Sequence, residues 1–104
     1  MIYKFKSKAA GDVIMLGPNG DQMLRILGRE PSGQGIVDVE QLAPAIAALR
    51  AAVRDAEAQA ADAQDEDAPG RNAVSLRQRL WPVIEMFERA LAARQPVVWG
   101  VWPA

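Results

Sequence analysis

Chemistry in this chain has to be built from carboxylates, lysines, arginines, hydroxyls and one tyrosine, because its 104 residues include no histidine and no cysteine. The missing imidazole removes the usual general base, the usual activator of a serine nucleophile and the commonest transition-metal ligand. The missing thiol removes disulfides, thiolate nucleophiles and thiolate metal sites. Zinc centres built from Cys and His and Ser-His-Asp hydrolysis are therefore excluded. Glu85 with Glu88, or Tyr3, is what remains for acid-base work, and nothing in their surroundings suggests a cleft. The run Asp65-Glu66-Asp67 lacks the spaced ligands and turn glycine of a calcium loop. The expectation is a non-enzyme with no catalytic residues, no metal and no cofactor.

Three other groups invite a functional reading. Gly17-Pro18-Asn19-Gly20 fits the GxxG loop that clamps a nucleic-acid backbone, but Pro18 and Asn19 stand where a basic pair would attract phosphate. Arg71, Arg77 and Arg79 surround Ser75 at the start of a helical pattern. Arginines there oppose the helix dipole, so a negative partner is expected: an anionic ligand on the free amides, or the chain's own Asp62 to Asp67. Of the three tryptophans, Trp99 reads as core, whereas Trp81 and Trp102, if exposed together, would form an interaction patch.

The elements that must position these groups follow from periodicity. "IYKFKS" alternates Tyr3 and Phe5 with Lys4 and Lys6, a strand with one wet face. "DVIML" reads as a second strand hairpinned to it; its unbroken apolarity suggests an inner position, and a helix over residues 9–16 stays open. After Asn19-Gly20, Met23, Leu24, Ile26 and Leu27 have helical spacing. Asn19 is expected as the cap, Gln22 at the capping-box position and Gly28 as the left-handed stop. "IVDV" reads as a brief edge strand. Leu42, Ile46, Leu49 and Val53, continued by Ala56 and Ala60, form one stripe of an alanine-rich helix, with Pro44 placed in its first turn.

Residues 62–73 form an acidic, flexible connector. Ser75 with Gln78 makes a capping box for a helix whose inner face is Leu76, Leu80, Val83, Ile84, Phe87 and Leu91. Pro82 either kinks that helix or marks its true beginning. "PVVWGVWPA" closes with a strand that sets Val97, Trp99 and Val101 on one side and Val98 and Trp102 on the other. The assembled expectation is a single α+β domain over 1–104: a small antiparallel or mixed sheet of N-terminal hairpin strands plus the C-terminal strand, with about three helices packed on one face.

The net charge of −1 divides unevenly: +2 over residues 1–33, −6 over 34–70 and +3 over 71–104. An acidic middle and mildly basic ends suit internal complementarity or an acidic partner-facing arm. No stretch has the length of a signal peptide or a membrane span, so cytoplasmic residence is the expectation.

"FKSKAAGDVIMLG", "GIVDVEQLAPAIAALRAAV", "VSLRQRLWPVIEMFERA" and "PVVWG" together resemble a small bacterial family, domain of unknown function 1840. The resemblance runs from near Met1 to about Gly100 and skips only the acidic connector. It implies a single-domain match and carries no activity and no catalytic residues. Composition and resemblance together point to a non-catalytic protein-interaction or regulatory module, its partner another protein or itself. Weak nucleic-acid or anion binding at Gly17 to Gly20 or at the arginines is the alternative. Candidate interaction residues are Trp81, Trp102, Arg71, Ser75, Arg77 and Arg79.

Overall fold

A computed structural model describes residues 2–30, 32–63 and 76–102. Strand β1 (Ile2–Ser7) turns into β2 (Ala10–Leu16), which leads without a break into helix α1 (Gly17–Ile26). A short strand β3 (Gln34–Val37) precedes α2 (Val39–Ala63), and α3 (Leu76–Ala93) is followed by β4 (Val97–Trp102). All pairings are antiparallel, and the sheet order is β2-β1-β4-β3. The final strand thus inserts between the first strand and β3, which closes the sheet around sequence-distant partners. No helix of the described residues is long and apolar enough to cross a membrane.

The three helices cover one face of the sheet, and the core lies between. Tyr3 and Phe5 on β1, Met15 on β2, Val37 on β3, and Val97 and Trp99 on β4 supply the sheet side. Met23 and Leu24 of α1, Leu42, Leu49 and Val53 of α2, and Leu80, Val83, Ile84, Met86 and Phe87 of α3 supply the other. The α+β architecture is the one that the alternation of "IYKFKS" and the stripe beginning at Leu76 imply, and residues 10–16 are strand, not helix.

Three details differ from the sequence reading, each for a local physical reason. The run "DVIML" occupies an edge of the sheet instead of an inner position: Ile14 and Leu16 are each 63% exposed. Asn19 does not cap α1. The helix starts three residues earlier, with extended Leu16 at the cap position, no side-chain cap and Pro18 in the first turn, where a fixed φ and a missing N–H are harmless. Pro44 lies in the second turn of α2 because that helix also begins early, at Val39. The Gln41 side chain accepts the Asp38 N–H at 2.9 Å, the reach-back half of a capping box. Pro82 lies in the second turn of α3, which runs through it as one helix from Leu76 and does not begin there. The stop at Gly28 is as expected: φ is 78°, Gly28 N donates to Arg25 O and Arg29 N to Leu24 O, both at 2.9 Å. The acidic connector lies outside the described residues apart from its first two positions, which end α2.

Candidate functional site

Among the described residues the helices lie on one face and leave the other face of the sheet uncovered, and register decides what it displays. Lys4 stands opposite Ile14 on β2 and Gly100 on β4, and Gly100 stands opposite Gln34 on β3. One step along, Lys6 pairs with Val98 and Val98 with Ile36. Side chains alternate along every strand, so these residues share the face that Tyr3, Phe5, Val97 and Trp99 do not. Five large hydrophobics are exposed among the described residues, and four of them, Ile14, Leu16, Ile36 and Val98, lie here. Gly100 leaves a depression between them: a Cβ at that position would touch nothing. A groove of about 290 Å³ runs over it, with Lys4 and Lys6 on one bank and Val98 and Val101 among its other walls. Asp12 Oδ2 lies 3.8 Å from Lys4 Nζ, which offsets part of the positive charge.

The two edges of this face are finished differently. Beside β3, Arg29 donates Nη1 to the Ile36 carbonyl at 2.8 Å and Nη2 to Gln41 Oε1 at 2.7 Å, while its guanidinium lies 5.4 Å from the Trp99 ring centroid. Ser32 Oγ donates to the Gln34 carbonyl at 3.0 Å, and Trp99 Nε1 donates to the Ser32 carbonyl at 3.2 Å. Arg29 thus ties the loop after α1 to β3, α2 and β4 together. It also walls a shallow cleft of about 550 Å³ with Leu27, Val37, Glu40 and Pro44.

The residues singled out from sequence are dispersed. Trp99 is core, as read. Trp81 is 41% exposed on α3 with the Arg77 guanidinium 5.8 Å from its ring centroid, and with Gln78 and Pro82 it lines an open hollow. Trp102 pairs with Ile2 through the backbone, and the position of its side chain lies outside the described residues, as do Arg71 and Ser75. The joint Trp81–Trp102 patch and the Ser75 cap fall there too, and so does the pairing of the arginines with the connector's acids.

Arg77 has a partner that the sequence reading missed: Glu57 Oε1 of α2, at 3.0 Å from Nε and 2.7 Å from Nη2. Position 57 is one of the outward positions beside the Ala56 stripe, so only the antiparallel packing of α2 on α3 reveals it. Arg79 Nη1 donates to Asn19 Oδ1 at 3.2 Å, which brings one arginine of the cluster to the Gly17–Gly20 turn; its Nε is buried with no hydrogen-bond partner among the described residues.

Two of the residues left for acid-base chemistry, Glu88 and Tyr3, are engaged elsewhere. Glu88 accepts from Arg50 Nη2 at 2.6 Å. The Tyr3 ring is buried against α1, and its hydroxyl donates to Asp21 Oδ1. Burial first, and then the hydrogen bond to the Asp21 carboxylate and its negative charge, push the phenol up to about 12. Among the described residues no group of three carboxylates could hold a metal ion.

The family model described as Domain of unknown function (DUF1840) matches residues 1–99. The chain belongs to that family. No curated protein and no solved structure matches it. The DUF1840 match spans both strands of the N-terminal hairpin, all three helices and β4 as far as Trp99, so the uncovered sheet face is built almost entirely from family sequence. Sequence reasoning did not name Ile14, Leu16, Ile36 or Val98 as functional. The signal was present in the wet lysine side of "IYKFKS": one polar face on the central strand means one uncovered face on the sheet.

Proposed function

We propose that this chain is a non-catalytic protein-interaction module whose docking surface is the uncovered face of its sheet. The observation that carries the reading is the gathering of Ile14, Leu16, Ile36 and Val98, each at least 41% exposed, on one face. Scattered exposed hydrophobics are ordinary, but a set sharing one face with a central groove fits an interface. Lys4 and Lys6 add a polar, positively charged band through the middle of the patch, which sets orientation and register against a partner. The engagement of Glu88 by Arg50 and the raised phenol of Tyr3 favour a binding role over a catalytic one.

The test compares wild type with Leu16→Ser/Val98→Ser, which removes one apolar side chain from each flank of the face, and with Trp81→Ala on the helical side. Sedimentation across concentration reads self-association, and capture from cell lysate reads other partners. The expected result is association that the double variant loses and Trp81→Ala keeps. Association unaffected by the double variant, or none of either kind in wild type, would sink the reading.

A second reading, anion or nucleic-acid binding, draws support from the Arg79–Asn19 contact, which sets a guanidinium beside the first amides of α1. It ranks second because Asn19 already engages Arg79 and the chain is net acidic. Titration with inorganic phosphate and with a labelled oligonucleotide at low salt tests it. Binding that Arg79→Gln removes would promote it, and no binding would end it.

A further inference from the structure

Resting on the reading of the outer face as a docking surface, we infer that its occupant is a second copy of this chain, added edge to edge along β2 to extend the sheet. The edge at β3 is four residues long, and the carbonyls of Gln34 and Ile36 along it are taken by Ser32 Oγ and Arg29 Nη1. Those carbonyls therefore turn away from β4. In an antiparallel ladder, hydrogen-bonded and non-bonded pairs alternate, so β3 bonds to β4 through Gly35 with Trp99 and Val37 with Val97. Val98 and Gly100 then direct their backbone groups to β1, where Lys6 and Lys4 receive them. Alternation carries one strand further: Tyr3 and Phe5 bond to Met15 and Val13 on β2. What remains is the N–H and C=O of Ile14, flanked by those of Asp12 and by the N–H of Leu16, whose carbonyl belongs to the start of α1; Ile14 and Leu16 carry the most exposed large hydrophobic side chains.

β2 carries little that would stop another strand from joining. It has seven residues, with no proline and no lysine; its one charge, Asp12, lies beside Lys4, and its one register shift against β1 lies between Val13 and Ala10, on the far side of Ile14 from Leu16. Short length, proline, lysine and inward charge are the usual defences of an edge, and β3 is the edge that is short and capped. An antiparallel pair of identical strands is self-matching about a two-fold axis, so each copy supplies what the other's open row requires. Pairing centred on Ile14 sets it opposite Ile14 of the second copy and Leu16 opposite Asp12, so the apolar contact across the new ladder is made by the two isoleucines. An unrelated peptide would bring hydrogen bonds but no guarantee of this apolar complement. A contact of one strand and its flank falls short of the roughly 800 Å² per partner of a standard interface, so the dimer is expected in the micromolar range.

Sedimentation equilibrium of the full chain, from low micromolar to near-millimolar concentration, tests this together with residue-resolved amide exchange by NMR. The expected result is an average mass rising towards two chains, with exchange of the Ile14 amide slowing about tenfold over the series. Val13 and Met15, bonded to β1 in monomer and dimer alike, should not change. Ile14→Lys, which sets like charges opposite each other on the dyad, should weaken association about tenfold or more, while Trp81→Ala on the helical side should leave it intact. A monomer at every concentration, or a dimer in which the Ile14 amide exchanges no more slowly, overturns the inference. If Ile14→Lys fails to fold, the exchange behaviour of wild type decides alone. A monomer that captures another protein through Leu16 and Val98 would end this inference while leaving the docking-face reading standing; a monomer that captures nothing would end both.

Discussion

The Tyr3 hydroxyl, on the central strand, donates to Asp21 Oδ1 on α1, joining sheet and helix layers across 18 residues of sequence. The phenol is held at about 12 in the folded chain, chiefly by burial, against 10.0 unperturbed. The folded-state value lies above the unfolded one, so the neutral phenol's contribution to stability is complete below about pH 10 and is lost as pH rises through 12. This is the chain's single tyrosine. Absorbance at the tyrosinate band should therefore show one transition near the folded value, coincident with loss of helical circular dichroism. Tyr3→Phe should cost about 1–2 kcal/mol near neutrality and remove Tyr3's share of the alkaline loss of stability. A transition at the unperturbed value with the fold intact would show that the contact is not held in solution.

Gly20 packs its backbone against the same ring, so close that a Cβ there would run into Tyr3, whereas a Cβ at Gly100 would meet nothing. Alanine normally improves a helix interior by up to about 1 kcal/mol over glycine. Gly20→Ala should reverse that sign and destabilise by about 1–3 kcal/mol through overpacking. Gly100→Ala, on the open face, should stay within about 0.5 kcal/mol. Urea midpoints of the two variants measure the contrast directly, and equal effects would contradict the packing of α1 on β1.

Much of this framework is legible in the sequence, because periodicity reports which side of an element is wet. Tyr3 and Phe5 against Lys4 and Lys6, and the stripe from Leu76 to Leu91, place the inner faces without any knowledge of partners. Strand order is not legible. The unbroken run "DVIML" reads as inner because continuous apolarity usually means cover on both faces. Here β2 is instead an edge with one uncovered face, a property of the sheet's topology. Helix starts are likewise set by competition. Asn19 is a good cap by type, yet Pro18 favours a start at Gly17, and the Asn19 side chain is used by Arg79 instead. The Glu57–Arg77 pair depends on the packing of two helices joined by residues that carry no positional signal. The exposed apolar face of the sheet is legible only once Lys4 is known to lie beside Ile14 and Gly100.

The ends of α1 and α3 use the same turn with different residues. Gly28 closes α1 at φ 78°; Arg94 closes α3 at φ 55°, with Arg94 N donating to Leu91 O and Gln95 N to Ala90 O. A side chain in that left-handed conformation costs about 1 kcal/mol relative to glycine. Arg94→Gly should therefore stabilise the chain by about 0.5–1 kcal/mol, less any favourable interaction of the guanidinium with the helix C-terminus. Gly28→Ala should destabilise by a comparable amount. Thermal midpoints moving in the same direction in both variants would refute the assignment.

Arg29 holds three structures with one planar group: the Ile36 carbonyl, the Gln41 side chain and the face of Trp99. Arg29→Ala should cost about 1–3 kcal/mol, combining two exposed hydrogen bonds with a cation–π contact. Arg29→Lys should recover little of this, since an ammonium cannot bond in two directions within one plane while lying over the indole. The same substitution uncovers the Ile36 carbonyl and opens the second edge of the sheet. If capping by Arg29 is what keeps β3 from pairing, Arg29→Ala should assemble beyond the dimer at concentrations where wild type does not, and sedimentation velocity distinguishes the two. A variant that loses stability but gains no larger species would show that the short length of β3, and not the arginine, protects that edge.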